Sequence, residues 1–261
     1  MIVFPCLASG AIAQRGARRT TRFRTVQNGV RGGDSISDSF CRYTEWVLPM
    51  EDLAPVELAR LLEFFELVRG TQGTFRFLDP FDNLFRWSGN LLNGAWQRDP
   101  FLEVRADASG PIPGRTGYRI LNTSDTYQAI AQFIGMPGSY TACFSLWLRT
   151  WESGSVVLRR RSETMVGTMV CGVTRDWSRV FYVSELEGSA DVSEFSVIIA
   201  PGKSVEVFGL QVEVQRAPSE YMETDERSGV YDVARLTQDS LDVEFVGNKR
   251  SRCVVGIEAR W

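Results

Sequence analysis

Between residues 101 and 215 the sequence holds no helical periodicity, only short alternations of apolar and polar residues cut off by turn signals. The runs fall at about 101–105, 117–121, 128–134, 140–149, 155–160, 168–174, 178–183, 194–199 and 204–215, with Gly-Pro, Pro-Gly and Ser-Gly steps among the breaks. Successive side chains of a strand point to opposite faces, so each run has one face to bury. Many short strands at regular spacing bury those faces as a β-sandwich or a barrel. The chain is therefore expected to be mainly β.

The flanks differ. Arg22-Phe23-Arg24-Thr25-Val26 and Cys41-Arg42-Tyr43-Thr44-Glu45-Trp46-Val47 alternate as strands. The glycine-rich stretch 28–34 joins them. A phosphate cradle needs a strand-to-helix context, so this loop reads as a hairpin connection. One helix is predicted at about 55–69. Pro55 suits its first position and Gly70 the position past its end. Leu58, Leu61, Leu62, Phe65 and Val68 form its apolar face. A short strand ending in a turn follows within 73–82; Asp79 and Asp82 around Pro80 read as turn caps. A last hairpin, 241–245 and 253–258, turns around Gly247-Asn248. Two strands are too few to fold alone, so they are expected to join the first domain's sheet. The expected organisation is a first domain of 1–89 and 225–261, interrupted by a β-sandwich at 90–224.

Composition removes several chemistries. There is no histidine, which takes away the commonest general base and metal ligand. Cys6, Cys41, Cys143, Cys171 and Cys253 are widely spaced with no C-x-x-C pair, so no zinc site is indicated, and reduced, mostly buried thiols are expected, with one long-range disulfide as the alternative. No metal, cofactor or catalytic residue is assigned. Hydrophobic content of 44% supports a packed core, and a net charge of -3 asks for neither nucleic acid nor an anionic membrane. The apolar N-terminus lacks a preceding positive residue and is broken by Pro5 and Gly10; it reads as a strand or packed arm. No run reaches the ~18 apolar residues of a membrane-spanning helix.

The segment Leu61-Leu62-Glu63-Phe64-Phe65-Glu66-Leu67-Val68-Arg69-Gly70, followed by Gly73-Thr74-Phe75-Arg76-Phe77-Leu78-Asp79-Pro80, resembles the distal tail protein family of long-tailed (siphovirus-like) bacteriophages and gene transfer agents. The likeness covers roughly 1–88 and 225–261. The middle resembles the carbohydrate-binding-module-like jelly rolls of phage tails. It does so through Asn90-Leu91-Leu92-Asn93-Gly94-Ala95-Trp96, Ser145-Leu146-Trp147-Leu148-Arg149 and Phe208-Gly209-Leu210-Gln211-Val212-Glu213. The resemblance implies an N-terminal β-sandwich or barrel-like tail domain with one helix and a jelly-roll insertion. It implies a structural protein of the virion tail tip, made in the bacterial host cytoplasm. It would form a homo-oligomeric, hexameric ring between the tail tube protein and the hub or tip proteins. The insert would project outward toward a host-surface glycan or neighbouring proteins. No reaction, membrane contact or sequence-specific nucleic-acid contact is implied.

Within that frame the candidate residues carry alternatives. Arg15, Arg18, Arg19, Arg22 and Arg24 suit inter-subunit salt bridges or a solvated face, a lumen or tube-docking surface, or contact with passing DNA. Trp147 and Trp151 are the candidates for glycan stacking, with interface or core packing as the other reading. Trp177 reads as core. Arg159-Arg160-Arg161 reads as a solvated strand end or loop. Asp176, Glu185, Glu187 and Asp191 read as loop charges. Glycoside hydrolysis needs two carboxylates about 5–10 Å apart across a cleft, which spacing in an all-β chain does not establish.

Overall fold

The computed structural model describes residues 1–7, 16–28, 34–152, 154–163, 165–188 and 190–260, with the backbone alone over 23–28 and 34–42. Arg15 and the loop 29–33 lie outside these residues, as do the side chains of Arg24 and Cys41. In chain order come β1 (Arg18–Asn28), β2 (Asp34–Leu53), α1 (Pro55–Val68) and β3 (Phe75–Leu78). Then follow β4 (Gln97–Arg98), β5 (Leu102–Ser109), β6 (Thr116–Asn122), β7 (Gln128–Ile134), β8 (Ala142–Arg149), β9 (Gly154–Ser162) and β10 (Met165–Val173). The last are β11 (Ser178–Ser184), β12 (Ser193–Ile199), β13 (Ser204–Glu213), β14 (Val230–Leu236), β15 (Val243–Gly247) and β16 (Arg250–Arg260). The chain is mainly β, as its alternation requires, and it folds as two units. One is Met1–Phe77 with Tyr231–Trp261; the other is Leu78–Val230.

The first unit carries a sheet ordered β1-β2-β16-β14-β3, with β15 paired to β16. Residues 43–53 of β2 have β16 on one side, from Tyr43↔Arg260 to Leu53↔Ser251. β1 runs along the other side, from Arg18↔Val47 to Asn28↔Asp34. Among the described pairings, residues 34–42 of β2 meet β1 alone, a two-stranded ribbon. Trp46, Leu48 and Met50 alternate inward, and the Trp46 ring meets Phe77 at 5.0 Å and Tyr231 at 4.6 Å. The expected N-terminal arm is seen: Phe4 N–H donates to the Arg76 carbonyl and Arg76 N–H to that of Ile2, both at 2.9 Å. That arm sets Phe4 against Phe64 and Phe75.

The helix begins at Pro55, and the Glu57 carboxylate accepts from the Ala54 N–H at 2.9 Å, satisfying one of the free amides of the first turn. It ends with Arg69 left-handed. A Cβ at Gly73 would meet the Val68 carbonyl oxygen at 2.4 Å, so only glycine lets the chain fold back into β3 there. The buried face is Glu57, Leu61, Phe64, Phe65 and Val68. This corrects the expected face. Leu62 is exposed and Phe64 takes its place, because Phe4 and Phe75 supply an aromatic partner at Phe64.

The second unit has two five-stranded antiparallel sheets, β10-β9-β12-β7-β4 and β11-β8-β13-β6-β5. Phe144 of one sheet and Phe195 of the other meet at 5.8 Å between them, with Phe85 against both. This is the expected β-sandwich. The sequence placed its seams at 90 and 224, whereas the compact unit runs from 78 to 230. The reason lies in residues 83–85. The Asn83 amide donates to the carbonyls of Leu210 (2.9 Å) and Met222 (3.1 Å), and its oxygen accepts from Val212 N–H at 3.1 Å. Phe85 is fully buried in the sandwich core. Asp79 and Asp82 cap the turn as expected, accepting from the Phe81 and Asn83 amides.

The arginine triplet departs from expectation. It lies at a strand end, the end of β9, as one of the two expected readings had it, but Arg160 is completely buried and not solvated. Its guanidinium donates to the carbonyls of Tyr140 (2.7 Å), Ser184 (2.8 Å) and Pro137 (2.8 Å) and to the Ser193 hydroxyl. A buried cation persists only when its donors are satisfied, and here it ties the carbonyls of Pro137 and Tyr140 to that of Ser184 at the end of β11. Arg159 and Arg161 point the other way and share the Glu194 carboxylate.

Candidate functional site

β8 determines the geometry. Ala142, Phe144, Leu146 and Leu148 face the core, so Ser145, Trp147 and Arg149 face out. Register then aligns partners across the sheet. Arg149 lies opposite Glu206 of β13, and Glu206 lies opposite Arg119 of β6. Trp147 lies opposite Phe208. Two rows result on the outward face: Arg149–Glu206–Arg119, and Trp147–Phe208 with Tyr221 beside them.

Glu206 anchors the first row. It is 2% exposed and accepts from Arg149 Nε (2.5 Å), Arg119 Nη2 (3.1 Å) and Trp151 Nε1 (3.2 Å). Burial pushes its carboxyl up, but the hydrogen bonds from Arg149, Trp151 and Arg119 and the charge of Arg149 outweigh burial and hold it below its ordinary value. It is therefore ionised at neutral pH and is an anchor, not a proton donor. Arg149 in turn lies 5.5 Å from the Trp151 ring centre and 4.7 Å from that of Trp177, within cation–π range of both. Trp177 reaches across the sheet: its Nε1 donates to the Ser109 carbonyl at 3.2 Å, and its ring lies over Gly117. Arg175 Nε donates to the Trp151 carbonyl at 3.2 Å. Trp151 remains 62% exposed. Its indole is thus held at one edge by a buried carboxylate while most of the ring meets solvent.

Trp147 is placed differently. It is half-buried, with the Arg179 guanidinium 4.3 Å from its ring centre and Phe208 and Tyr221 edge-on to it. Of the two expected stacking residues, Trp151 has the larger open surface. Trp177, expected in the core, is half-buried on the same outward face as Trp151. The sequence did not single out Glu206, Arg149 or Arg119. The available signal was a charged residue at the centre of the apolar run Val205-Glu206-Val207-Phe208, where strand alternation demands an outward partner.

Of the basic run, Arg18, Arg19, Arg22 and Arg24 lie on β1. Arg18 and Arg19 are exposed, and Arg22 pairs with Glu45 at 3.1 Å. Asp176, Glu185, Glu187 and Asp191 gather no site; Glu185 accepts from the Thr141 hydroxyl at 3.3 Å. Among the described residues no group of acidic or cysteine side chains is arranged to hold a metal ion. Cys143, Cys171 and Cys253 are buried free thiols and Cys6 is half-buried. Burial, aided by the Glu213 charge, pushes the Cys143 thiol up to about 12, and burial pushes that of Cys253 to about 11.

Scanned against family models and curated proteins, the sequence matches none, so the distal tail resemblance rests on the residues that carry it. Three solved structures are similar in part. The enzymatically active domain of tailspike protein 4 of bacteriophage CBA120 is 11% identical over 53% of this chain and 22% of that one, with a TM-score of 0.42. The CBM22-1 xylan-binding domain from Paenibacillus barcinonensis is 9% identical over 52% of this chain and 95% of that one, at 0.41. A family 11 carbohydrate-binding module from Clostridium thermocellum, in complex with a beta-1,3-1,4-mixed-linked tetrasaccharide, is 10% identical over 46% and 89%, at 0.35. This chain thus spans about a fifth of the tailspike domain's length. At these identities and TM-scores, function is argued from the site itself.

Proposed function

We propose that this chain is a non-catalytic attachment protein of a phage tail tip, whose sandwich unit binds a host-surface carbohydrate on the outward face of the β8–β13–β6 sheet. The observation that carries this reading is the stack Trp151–Arg149–Trp177 fixed on Glu206. Indole faces pack on the C–H surfaces of sugar rings, while guanidinium and carboxylate edges exchange hydrogen bonds with hydroxyls. A rigid, open indole beside polar groups provides both at little entropic cost. The test is a glycan array of bacterial surface polysaccharides with the full chain. Truncating a buried-anchor tryptophan commonly costs about 2 kcal/mol of binding, or roughly 30-fold. Trp151→Ala is expected to show that loss, and Trp177→Ala a similar one. Binding that is unchanged in both variants refutes the stack as the site.

A second reading concerns the first unit, and the β1–β2 ribbon favours it. We propose that the ribbon carries assembly into a hexameric ring between tail tube and hub. Among the described residues β1 is an edge strand, bearing Arg18 and Arg19, and a sheet edge is a ready surface for strand addition by a neighbour. A head-to-tail contact of that kind closes into a ring when its rotation permits. Mass photometry of the purified chain tests it: sixfold mass supports the ring, and a monomer at every concentration removes it.

A further inference from the structure

The edge strands of this chain differ in charge. A sheet edge invites pairing with another strand, and charge, proline, brevity or a bulge restricts which strand can pair there. In the first unit's sheet, β1 carries Arg18, Arg19 and Arg22, β3 carries Arg76 and β15 carries Glu244. In the sandwich, β4 is two residues long and β11 holds Arg179. β5 holds Glu103, Arg105 and Asp107, with its register shifted between Arg105 and Ala108. The remaining edge, β10, has none of these features. Its nine residues, Met165–Val173, include no charge and no proline. Its register with β9 is unbroken from Met165↔Ser162 to Val173↔Gly154, and among the described residues β9 is its only strand partner.

The turn fixes which main-chain groups are free. Two residues separate Ser162 from Met165, so this pair closes a β-turn and is hydrogen-bonded. Hydrogen-bonded pairs alternate along an antiparallel ladder. Met165, Gly167, Met169, Cys171 and Val173 therefore bond to β9, while the N–H and C=O groups of Val166, Thr168, Val170 and Gly172 point to the open edge. The side chains of this second set share the outward face of the sheet. There Val166 is 53% and Val170 68% exposed, and a Cβ on Gly172 would meet nothing within 4 Å.

We infer that β10 pairs with β10 of a second copy of this chain, antiparallel about a two-fold axis at Met169, to make one continuous sheet. The strand is complementary to itself in that register. Val166 stands opposite Gly172 and Gly167 opposite Cys171, so each glycine meets a bulkier residue. The free main-chain groups are the ones the pairing uses: Val166 with Gly172, and Thr168 with Val170, exchange both hydrogen bonds. Met169 meets its own counterpart in a pair without hydrogen bonds. A two-fold contact presents the same surface twice, so a charged strand sets like charges near each other, at a cost. β10 brings none. The charges nearest in the sheet, Arg159 and Arg161 on β9, already share Glu194. The inference is independent of the glycan reading.

Sedimentation equilibrium of the full chain at micromolar concentration tests it, by the ratio of wild-type mass to that of Val170→Lys. The substituted side chain is exposed, and an unchanged circular dichroism spectrum checks the fold. A twofold ratio is expected, whether or not the first unit also forms a ring. Met169→Cys tests the register. Across a pair without hydrogen bonds the Cα atoms lie about 4.5 Å apart, within the roughly 4.4–6.8 Å that a disulfide spans. Mild oxidation should therefore give a covalent dimer that wild type does not form and that Val170→Lys in the same chain suppresses. No covalent dimer from Met169→Cys, or equal masses for wild type and Val170→Lys, overturns the inference. Equal masses would point to an extended strand of a different protein as the occupant of this edge.

Discussion

Replacing Glu206 tests the anchor of the stack. Its carboxylate is buried and accepts from two arginines and an indole. Breaking a buried ion pair from one side costs about 3–5 kcal/mol when the abandoned charge stays buried. Here the arginine side chains are 18% and 42% exposed, so both can regain water. Glu206→Ala is therefore expected to cost about 2–3 kcal/mol. Glu206→Gln keeps one acceptor but turns an amide NH₂ toward the guanidinium groups, for about 1–2 kcal/mol. The dependence on pH is the sharper signature. The folded-state value of Glu206 lies below its ordinary 4.5. Its stabilisation is thus fully present above pH 4.5 and is lost as pH falls through the depressed folded value. The gap between wild type and Glu206→Gln should be constant from pH 8 to about pH 5 and should narrow below that. Urea unfolding read by hydrogen exchange over Ser204–Glu213 isolates the sandwich from the other unit. A cost under about 0.5 kcal/mol, or a gap that does not narrow in acid, refutes the assigned role.

Arg160→Ala takes the guanidinium from the carbonyls of Tyr140 and Ser184, while that of Pro137 keeps the Tyr140 N–H, and at about 1–3 kcal/mol for each unsatisfied group an exchange-measured loss of about 2–6 kcal/mol is expected in β9 and β12. Gly209→Ala places a Cβ 2.8 Å from the Trp147 ring at φ 64, so about 1–3 kcal/mol of destabilisation and a shifted tryptophan emission should appear together. Iodoacetamide at pH 8 should leave Cys143 and Cys253 unlabelled in the native protein and modify both after unfolding, because thiols at about 12 and about 11 hold little thiolate, as peptide mapping can show.

What the sequence disclosed was the periodic part. Strand alternation located the sandwich, and Pro55 with Leu61, Phe65 and Val68 located the helix. What it did not disclose was set by distant partners. Leu62 and Phe64 are equally apolar, and only Phe4 and Phe75 decide that Phe64 goes in. In β14 the buried residues Tyr231, Ala234 and Leu236 break the two-residue period, so the strand left no readable alternation. A run of three arginines suggests solvent, yet a strand sends its middle residue to the opposite face, and there Arg160 found three carbonyls. The stack at Trp151 depends on register between β6, β8 and β13. Local sequence does not specify which residue of a distant strand stands opposite, so Glu206 remained invisible until the sheet was assembled.

β3 and β14 are neighbours in the first unit's sheet, and Asp79 N–H donates to the Gly229 carbonyl at 2.7 Å where the second unit begins and ends. The chain therefore departs and returns about one strand spacing apart, roughly 5 Å. A gene encoding this layout can trade the whole of Leu78–Val230, more than half of the chain, for another sandwich with similarly close ends while the first unit's sheet keeps its hydrogen bonds. Recombination at two codon positions would then exchange the sandwich and whatever surface it presents, with the first unit inherited untouched.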